Sequence, residues 1–494
     1  MLKFVSKKYQ EYDHYFFTLA LEITIPQQHM EHTPNSKNTL IHLISEYEAL
    51  AQKGDITKLE EKSLLKLIHF FESEYQKDKA MEVVEHALDL YPFSVEFYIK
   101  KADILLNSKY SDEAKIVLDK AENFAPGDLH IQLLRCKLYA QAGQFETSFA
   151  LLNELLEKKS GSEFTFIKLM ESHILELFKD YKGSFKVLRE ILFFAPNCKE
   201  ALERVWVAAE LCKAYDDSIV LHNALIDHDP YNFQAWYNLA QAYSSTGEYD
   251  YAIDAFEYAF IINPEFESAY KECADLCFEI GKHQKALKIY METMEVFGSD
   301  LDLLYNIGQC LLSLGNSKSA RKYLNKALKL DPYNDEIHYS IGISFAREAR
   351  WINAINAYKR ALDLDDMREE YFAGLGEAFF NLNEFERAEY YYKKAIKYGP
   401  EQSFIWLSYA NFLMATNKLD RAIKILESAE FYTQAIDLEY CKTACLFLLD
   451  KKQEGIKALE EVLQKDYELH ALLFHFAPHL QFDKDIQSIL NYYK

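Results

Sequence analysis

Residues 233–264 read FQAWYNLAQAYSSTGEYDYAIDAFEYAFIINP. Counting Phe233 as position 1, Trp236, Leu239, Ala240 and Tyr243 fall at positions 4, 7, 8 and 11, one face at helical spacing. Ala252, Phe256 and Ala259 fall at 20, 24 and 27, a second face, with Gly247 between the two and Pro264 closing the stretch at 32. The spacing predicts two helices folded back on each other. Small residues at 8, 20 and 27 let the backbones approach, and rings at 4, 11 and 24 fill the space beside them. One such hairpin cannot close this layer alone, so it needs neighbours.

A step of 34 residues repeats the pattern. From Leu301 it yields Leu304, Ile307, Gly308, Leu311, Ala320, Leu324, Ala327 and Pro332; from Glu369 it yields Phe372, Leu375, Gly376, Phe379, Ala388, Tyr392, Ala395 and Pro400. Asp335 and Ser403 open two further close matches, and Glu267 a looser one with Cys273, Ala274 and Cys277. Upstream, Pro92, Pro126, Pro196, Pro230 and Pro264 keep the interval, except that the 70 residues from Pro126 to Pro196 exceed two periods by two, near 158–162. In that region Arg135 and Glu171 stand where an apolar residue is expected.

The pattern resembles the tetratricopeptide repeat, whose signature is W-x2-L-G-x2-Y followed by A-x3-F, A and P over 34 residues. The resemblance implies an all-α fold, a right-handed superhelical solenoid of about twelve antiparallel hairpins with helical end caps. Units are expected to start near 61, 95, 129, 165, 199, 233, 267, 301, 335, 369, 403 and 437. Residues 1–36 read as a tail, 37–60 as an N-terminal capping helix on the Leu40, Leu43, Ile44, Tyr47, Leu50 and Ala51 stripe, and 465–494 as closing helices split near Pro478. The second methionine, Met30, leaves open whether residues 1–29 belong to the native protein.

Composition narrows the function. The 494 residues carry 77 Asp and Glu against 55 Lys and Arg, a net charge of -22, which disfavours general binding to nucleic acids or anionic membranes. No apolar run approaches the ~18 to 20 residues of a transmembrane helix, so no membrane insertion is expected. The first 26 residues lack the pattern of a cleaved signal peptide, with Glu11 and Asp13 interrupting the apolar patch. Eight Cys scattered through the helical pattern point to a reducing cytoplasm rather than a disulfide framework. The 34 Phe and 35 Tyr fall mostly at packing positions, so stacking on bases is disfavoured too.

No Gly-rich phosphate loop, H-E-x-x-H helix or G-x-S-x-G elbow is present, and a solenoid keeps residues distant in sequence distant in space. The expectation is no enzyme and no cofactor. Cys273/Cys277 and Cys441/Cys445 have i, i+4 spacing, half of a zinc site, but the two pairs lie five units apart and the first occupies core positions 7 and 11. The first pair reads as core thiols and the second as thiols with a plain surface or packing role, both without metal.

In the family resembled, positions 2, 5, 6, 9 and 12 of the first helix face the concave groove. Here that implies a peptide-binding groove of Gln234, Tyr237, Asn238, Gln241, Lys271, Asp275, Phe278, Asp302, Tyr305, Asn306, Gln309, Glu336 and Tyr339. Tyr237, Tyr305 and Tyr339 at position 5 are taken as unnecessary for hairpin packing and free to bind. Glu200, Glu203, Glu210, Glu370 and Glu377 extend the acidic positions, so a basic or amphipathic partner segment is implied; Phe380, Phe404, Leu407 and Met414 offer an apolar anchor. The carboxylate clamp by which family members hold chaperone C-terminal tails is broken. Lys271 and Asn306 fit it, but Asp275, Glu336 and Ser340 occupy its other places. The function expected is a non-enzymatic scaffold for protein segments. The rival is a structural assembly subunit packing through helix faces and ends.

Overall fold

The computed structural model describes residues 42–50, 59–158 and 161–493, and every regular element among them is helical. The chain divides after Asn263 into two compact units, Met1–Asn263 and Pro264–Lys494. Each is a row of helical hairpins in which consecutive helices pack together.

In the first unit the hairpins open with Glu61–Ser73, Val95–Asn107, Leu129–Gln141, Ser162–Leu177, Lys199–Cys212 and Phe233–Thr246. In the second they open with Glu267–Glu279, Leu301–Ser313, Asp335–Ala346, Glu369–Asn381, Ser403–Ala415 and Ile436–Leu448. The helix projected from 165 starts three residues early, at Ser162, and runs for 16 residues, so the lengthened interval is taken up partly in this helix. Gly161, at φ 71°, turns the chain into it. Residues 159 and 160, 1–41 and 51–58 lie outside the described residues, and with them the expected tail and most of the expected N-terminal cap. Residues 42–50 are helical, and Tyr47 is buried there with its hydroxyl 2.9 Å from His86 Nδ1. At the other end, Ala471–Phe476, a 3-10 turn at Pro478–Phe482 and Lys484–Tyr493 pack on Tyr440, Ala444, Leu459 and Val462.

The small positions behave as contact points. Ala240, Ala252 and Ala259 are fully buried, as are Ala320, Ala327, Ala354, Ala361, Ala388 and Ala395. Position 4 does more than pack. Trp236 Nε1 donates to Pro230 O at 2.9 Å and Trp406 Nε1 to Pro400 O at 2.7 Å, while the Tyr98 hydroxyl donates to Pro92 O at 3.1 Å. The ring therefore satisfies a carbonyl that the closing proline leaves at the junction with the preceding hairpin.

Position 15 is in the left-handed region in eleven hairpins, at Tyr75, Lys109, Gly143, Lys179, Lys213, Gly247, Gly281, Gly315, Ala349, Asn383 and Asn417, and in the last hairpin position 14, Asp450, takes its place. The next N–H then reaches back five residues, as from Glu248 to Tyr243 O and from Arg350 to Phe345 O, both at 2.9 Å, the bond of a Schellman cap. Only four of the twelve are glycine, so the turn is imposed by packing on side chains that disfavour it. Ala349, at φ 55° and exposed, loses little contact on truncation. Ala349→Gly should stabilise the second unit by about 1 kcal/mol. A thermal melt that fails to rise would show that this turn carries no strain.

Candidate peptide-binding face

The first-unit candidates occupy Phe233–Thr246. Asn238 is 1% exposed, and its Nδ2 donates to Leu202 O of the preceding hairpin at 2.7 Å; Gln234 Nε2 donates to Asn238 Oδ1 at 3.2 Å. Gln241 is 6% exposed and its Nε2 donates to the Tyr237 hydroxyl at 3.0 Å. The expectation that these amides face a partner is therefore corrected. Position 6 lies close enough to the neighbouring helix to be covered by it, and an amide there survives because it finds a backbone acceptor. Tyr237 is half-buried with its ring edge-on to Phe256 at 5.7 Å.

The second-unit candidates are mostly engaged with neighbouring residues of the fold. Lys271 Nζ sits 2.7 Å from Glu267 Oε1 and 3.0 Å from Asp300 Oδ2, and Asp300 also caps the next helix by accepting from Leu303 N–H at 2.7 Å. Asp275 accepts from the Tyr290 hydroxyl. Its carboxyl is open to solvent on one side, yet the crowded wall behind it pushes its pKa up to about 6 against that hydrogen bond, with Glu272 and Glu279 adding to the rise. Phe278 is half-buried beside His283 at 5.1 Å, and Asp302 is exposed. Gln309 Nε2 donates to Ser340 Oγ at 2.8 Å, Ser340 donates to Glu336 O at 2.8 Å, and Glu336 pairs with Arg368 at 2.7 Å. Tyr305 and Asn306 are half-buried beside them, and burial raises the Tyr305 hydroxyl pKa.

The premise about position 5 fails most clearly at Tyr339. Its ring lies 4.8 Å from Tyr371 and 5.4 Å from Tyr358, and it packs against the main core of the second unit. These tyrosines are part of the packing between hairpins, and alanine there removes core contacts along with any binding surface.

A family model described as a tetratricopeptide repeat matches residues 95–128, and one described as the cilia and flagella-associated protein 70 C-terminal domain matches 208–443. The chain is a tetratricopeptide repeat protein. It is 20% identical over 417 residues to BBSome complex member BBS4 of Bos taurus, covering 77% of this chain and 78% of that one. It is 21% identical over 369 residues to the TPR repeat-containing protein YpiA of Bacillus subtilis, covering 71% and 82%. Among solved structures it is similar to YrrB, a TPR protein with an unusual peptide-binding site, at 20% identity and TM-score 0.32 over 37% of this chain and 95% of that one. It is also similar to the APC/C hetero-tetramer Cut9-Hcn1, at 15% identity and TM-score 0.35 over 88% and 96%.

This tetratricopeptide repeat protein also holds a polar ladder in its first unit that sequence reasoning missed. Lys137, 1% exposed, places Nζ 2.8 Å from Asp103 Oδ1 and 2.6 Å from Asn107 Oδ1. Two hairpins on, Arg204 donates to Glu176 Oε1 and to Ser172 Oγ, each at 2.8 Å. His173 stands between these groups, and burial with the nearby Lys137 and Arg204 charges lowers its pKa well below the usual imidazole value. The signal was present: Asp103 and Lys137 are opposite charges at position 9, one period apart. All eight cysteines are free thiols, and Cys273, Cys277, Cys441 and Cys445 are fully buried. Among the described residues no group of three or more His, Cys, Asp or Glu could hold a metal ion, and no helix is long and apolar enough to cross a membrane.

Proposed function

We infer that this chain is a non-enzymatic scaffold that binds segments of partner proteins on the first-helix face of its second unit, in a reducing cytoplasm. The observation that carries this is the apolar strip left uncovered on that face. Phe404 is 41% exposed, and Leu407, Met414 and Phe380 are only half-buried although they stand on a well-packed core. Exposed acids, Asp302, Glu336 and Glu377 among them, lie along the same faces, so the partner chemistry favoured is basic and amphipathic. A chaperone C-terminal carboxylate is disfavoured. Lys271 is already held by two carboxylates, and Asp275 and Glu336 would repel the incoming anion.

A specific observation supports the structural-subunit alternative. Phe93, Tyr231, Tyr333 and Met367 occupy position 33 and are 67% exposed or more, on turns between hairpins, and Phe193 and Phe194 at the end of a helix and Phe431 on a turn are as exposed. Such rings suit lateral contacts in an assembly. The relatives named as a BBSome complex member and an anaphase-promoting complex subunit are, by those names, components of complexes. One experiment separates the readings. Phe404→Asp should abolish capture of native partners with the melting temperature unchanged, while Tyr231→Ser with Tyr333→Ser leaves capture intact. The reverse pattern, with a concentration-independent oligomer by light scattering, would establish the assembly role instead.

A further inference from the structure

The second helices of three consecutive hairpins, Ser317–Leu330, Trp351–Leu364 and Phe385–Tyr398, carry eleven Lys and Arg against three Asp and Glu. The whole chain has the opposite balance, with a net charge of -22. The cations also keep register. Lys326, Arg360 and Lys394 occupy position 26 of their hairpins, where the hairpin before has Glu292 and the one after has Ser428. Position 26 lies across the helix from the buried positions 20, 24 and 27, so the row faces away from the core; Lys326 and Arg360 are exposed and Lys394 is half-buried. Second helices of consecutive hairpins meet through side chains at both ends of this stretch, the Tyr323 hydroxyl 3.6 Å from Met291 Sδ and Arg421 2.6 Å from Glu389. The row therefore steps from helix to helix at about the 10 Å of packed helices.

Local electrostatics work against this arrangement. Lys318, Lys322 and Lys326 follow one another at intervals of four residues on one helix, as Lys393 and Lys397 do on another, and like charges at that spacing repel and weaken the helix. Acids on and beside these helices are engaged by other cations, Glu389 by Lys393 and Arg421 at 2.8 and 2.6 Å and Glu348 by Arg321 at 2.8 Å. Lys326, Lys394 and Lys397 lie instead by tyrosine rings, 5.1 Å from the centroid of Tyr323, 5.8 Å from that of Tyr390 and 5.4 Å from that of Tyr398. A ring face attracts an ammonium without cancelling its charge. Tyr390, 55% exposed at position 22, adds a hydroxyl donor on the side of the helix that bears Lys394.

We propose that this outer face binds an acidic segment of a partner protein, laid across the three second helices with its carboxylates on Lys326, Arg360 and Lys394. It is a second surface, and it does not depend on the first-helix face being a docking site. Charge complementarity selects the occupant, and the limited extent of the row selects its size. Glu292 and Glu295 stand before the row and Glu427 after it, in a chain of net charge -22, so a long polyanion or an anionic bilayer meets repulsion beyond the patch. A short acidic segment ends before that repulsion begins. An extended chain covers about 10 Å in three residues, so carboxylates at every third residue match the row.

The test is a fluorescence-anisotropy titration of the purified full chain with a labelled peptide of about thirteen residues, Glu at every third position and Ser between, at low and at physiological salt. The complex should weaken as salt rises, and Lys326→Gln, Arg360→Gln and Lys394→Gln together should weaken it about tenfold or more with helicity unchanged. Lys115→Gln, Lys120→Gln and Lys186→Gln, exposed lysines of the first unit with the same total change of charge, should leave affinity within about twofold of wild type. Vesicles of phosphatidylserine with phosphatidylcholine, and a short duplex DNA, should compete poorly for the site. Tighter binding of either one, lost in the row variant, would overturn the proposal and give the face to a membrane or a nucleic acid. A concentration-dependent oligomer that the row variant abolishes would overturn it in favour of a second copy of this chain. No binding of the peptide at low salt, or equal weakening by the two triple variants, would remove the surface altogether.

Discussion

Lys137→Ala should cost the first unit roughly 3–5 kcal/mol, the range for breaking a buried ion pair from one side. The Lys137 ammonium is closed off from water and held by Asp103 and Asn107 at 2.8 and 2.6 Å. Asp103 itself is 5% exposed. Removing the cation leaves that carboxylate buried without a partner, and the loss is the desolvation left uncompensated rather than the value of the bond. The double change Asp103→Leu with Lys137→Met should therefore recover most of the stability, since a buried pair replaced by packing of similar volume is often neutral or better. Because repeat arrays unfold in stages, the measurement is native-state hydrogen exchange in Val95–Asn107 and Leu129–Gln141 rather than a single melt. Protection in those helices within about 1 kcal/mol of wild type after Lys137→Ala would mean that water reaches Asp103 freely.

The second large effect is expected at Gly342. A Cβ there would stand 2.3 Å from Tyr358 Cε1 and 2.4 Å from Cδ1, closer than any side chain tolerates. The ring has little room to retreat, because its opposite edge lies against the backbone of Gly374, where even a Cβ would stand 3.1 Å from Cε2 and Cζ, and Tyr339 lies against it. Gly342→Leu should cost about 3 kcal/mol or more, above the usual overpacking range because the obstacle is clamped. Gly308→Leu should cost less, about 1 to 2 kcal/mol, since its near neighbours are Cδ2 and Cγ of Leu324, a side chain with rotamers to try. Adding Tyr358→Ala to Gly342→Leu should return part of the loss, whereas adding it to Gly308→Leu should only deepen the damage. Equal melting shifts for Gly342→Leu and Gly308→Leu would contradict the clamp.

How far each of these features could be read in advance depends on where its partners come from. The repeat register was legible because it is local: the faces at 4, 7, 8, 11 and at 20, 24, 27 are set by helix geometry within one hairpin, and the small residues mark where backbones meet. The left-handed turns at Tyr75 and Ala349 carry no residue signal, because both side chains disfavour that conformation and accept it only where two packed helices require the chain to reverse. The face at positions 2, 5, 6, 9 and 12 could be named from spacing, but spacing does not say which of its members a neighbouring hairpin covers. Asn238 went to the Leu202 carbonyl and Tyr339 to Tyr358 and Tyr371, and each of those partners lies on another helix.

By itself, then, the sequence determined an all-helical array of tetratricopeptide hairpins and the residue types along each face, since hydrophobic periodicity and the placing of small residues act within a single 34-residue unit. Only the tertiary structure decided which polar groups are spent inside the fold, as Lys137, Arg204 and Asn238 are, and which remain exposed, as Lys326 and Arg360 do. That choice is made between hairpins, where a side chain's hydration depends on how closely the next helix approaches, and no pattern within one repeat encodes that distance.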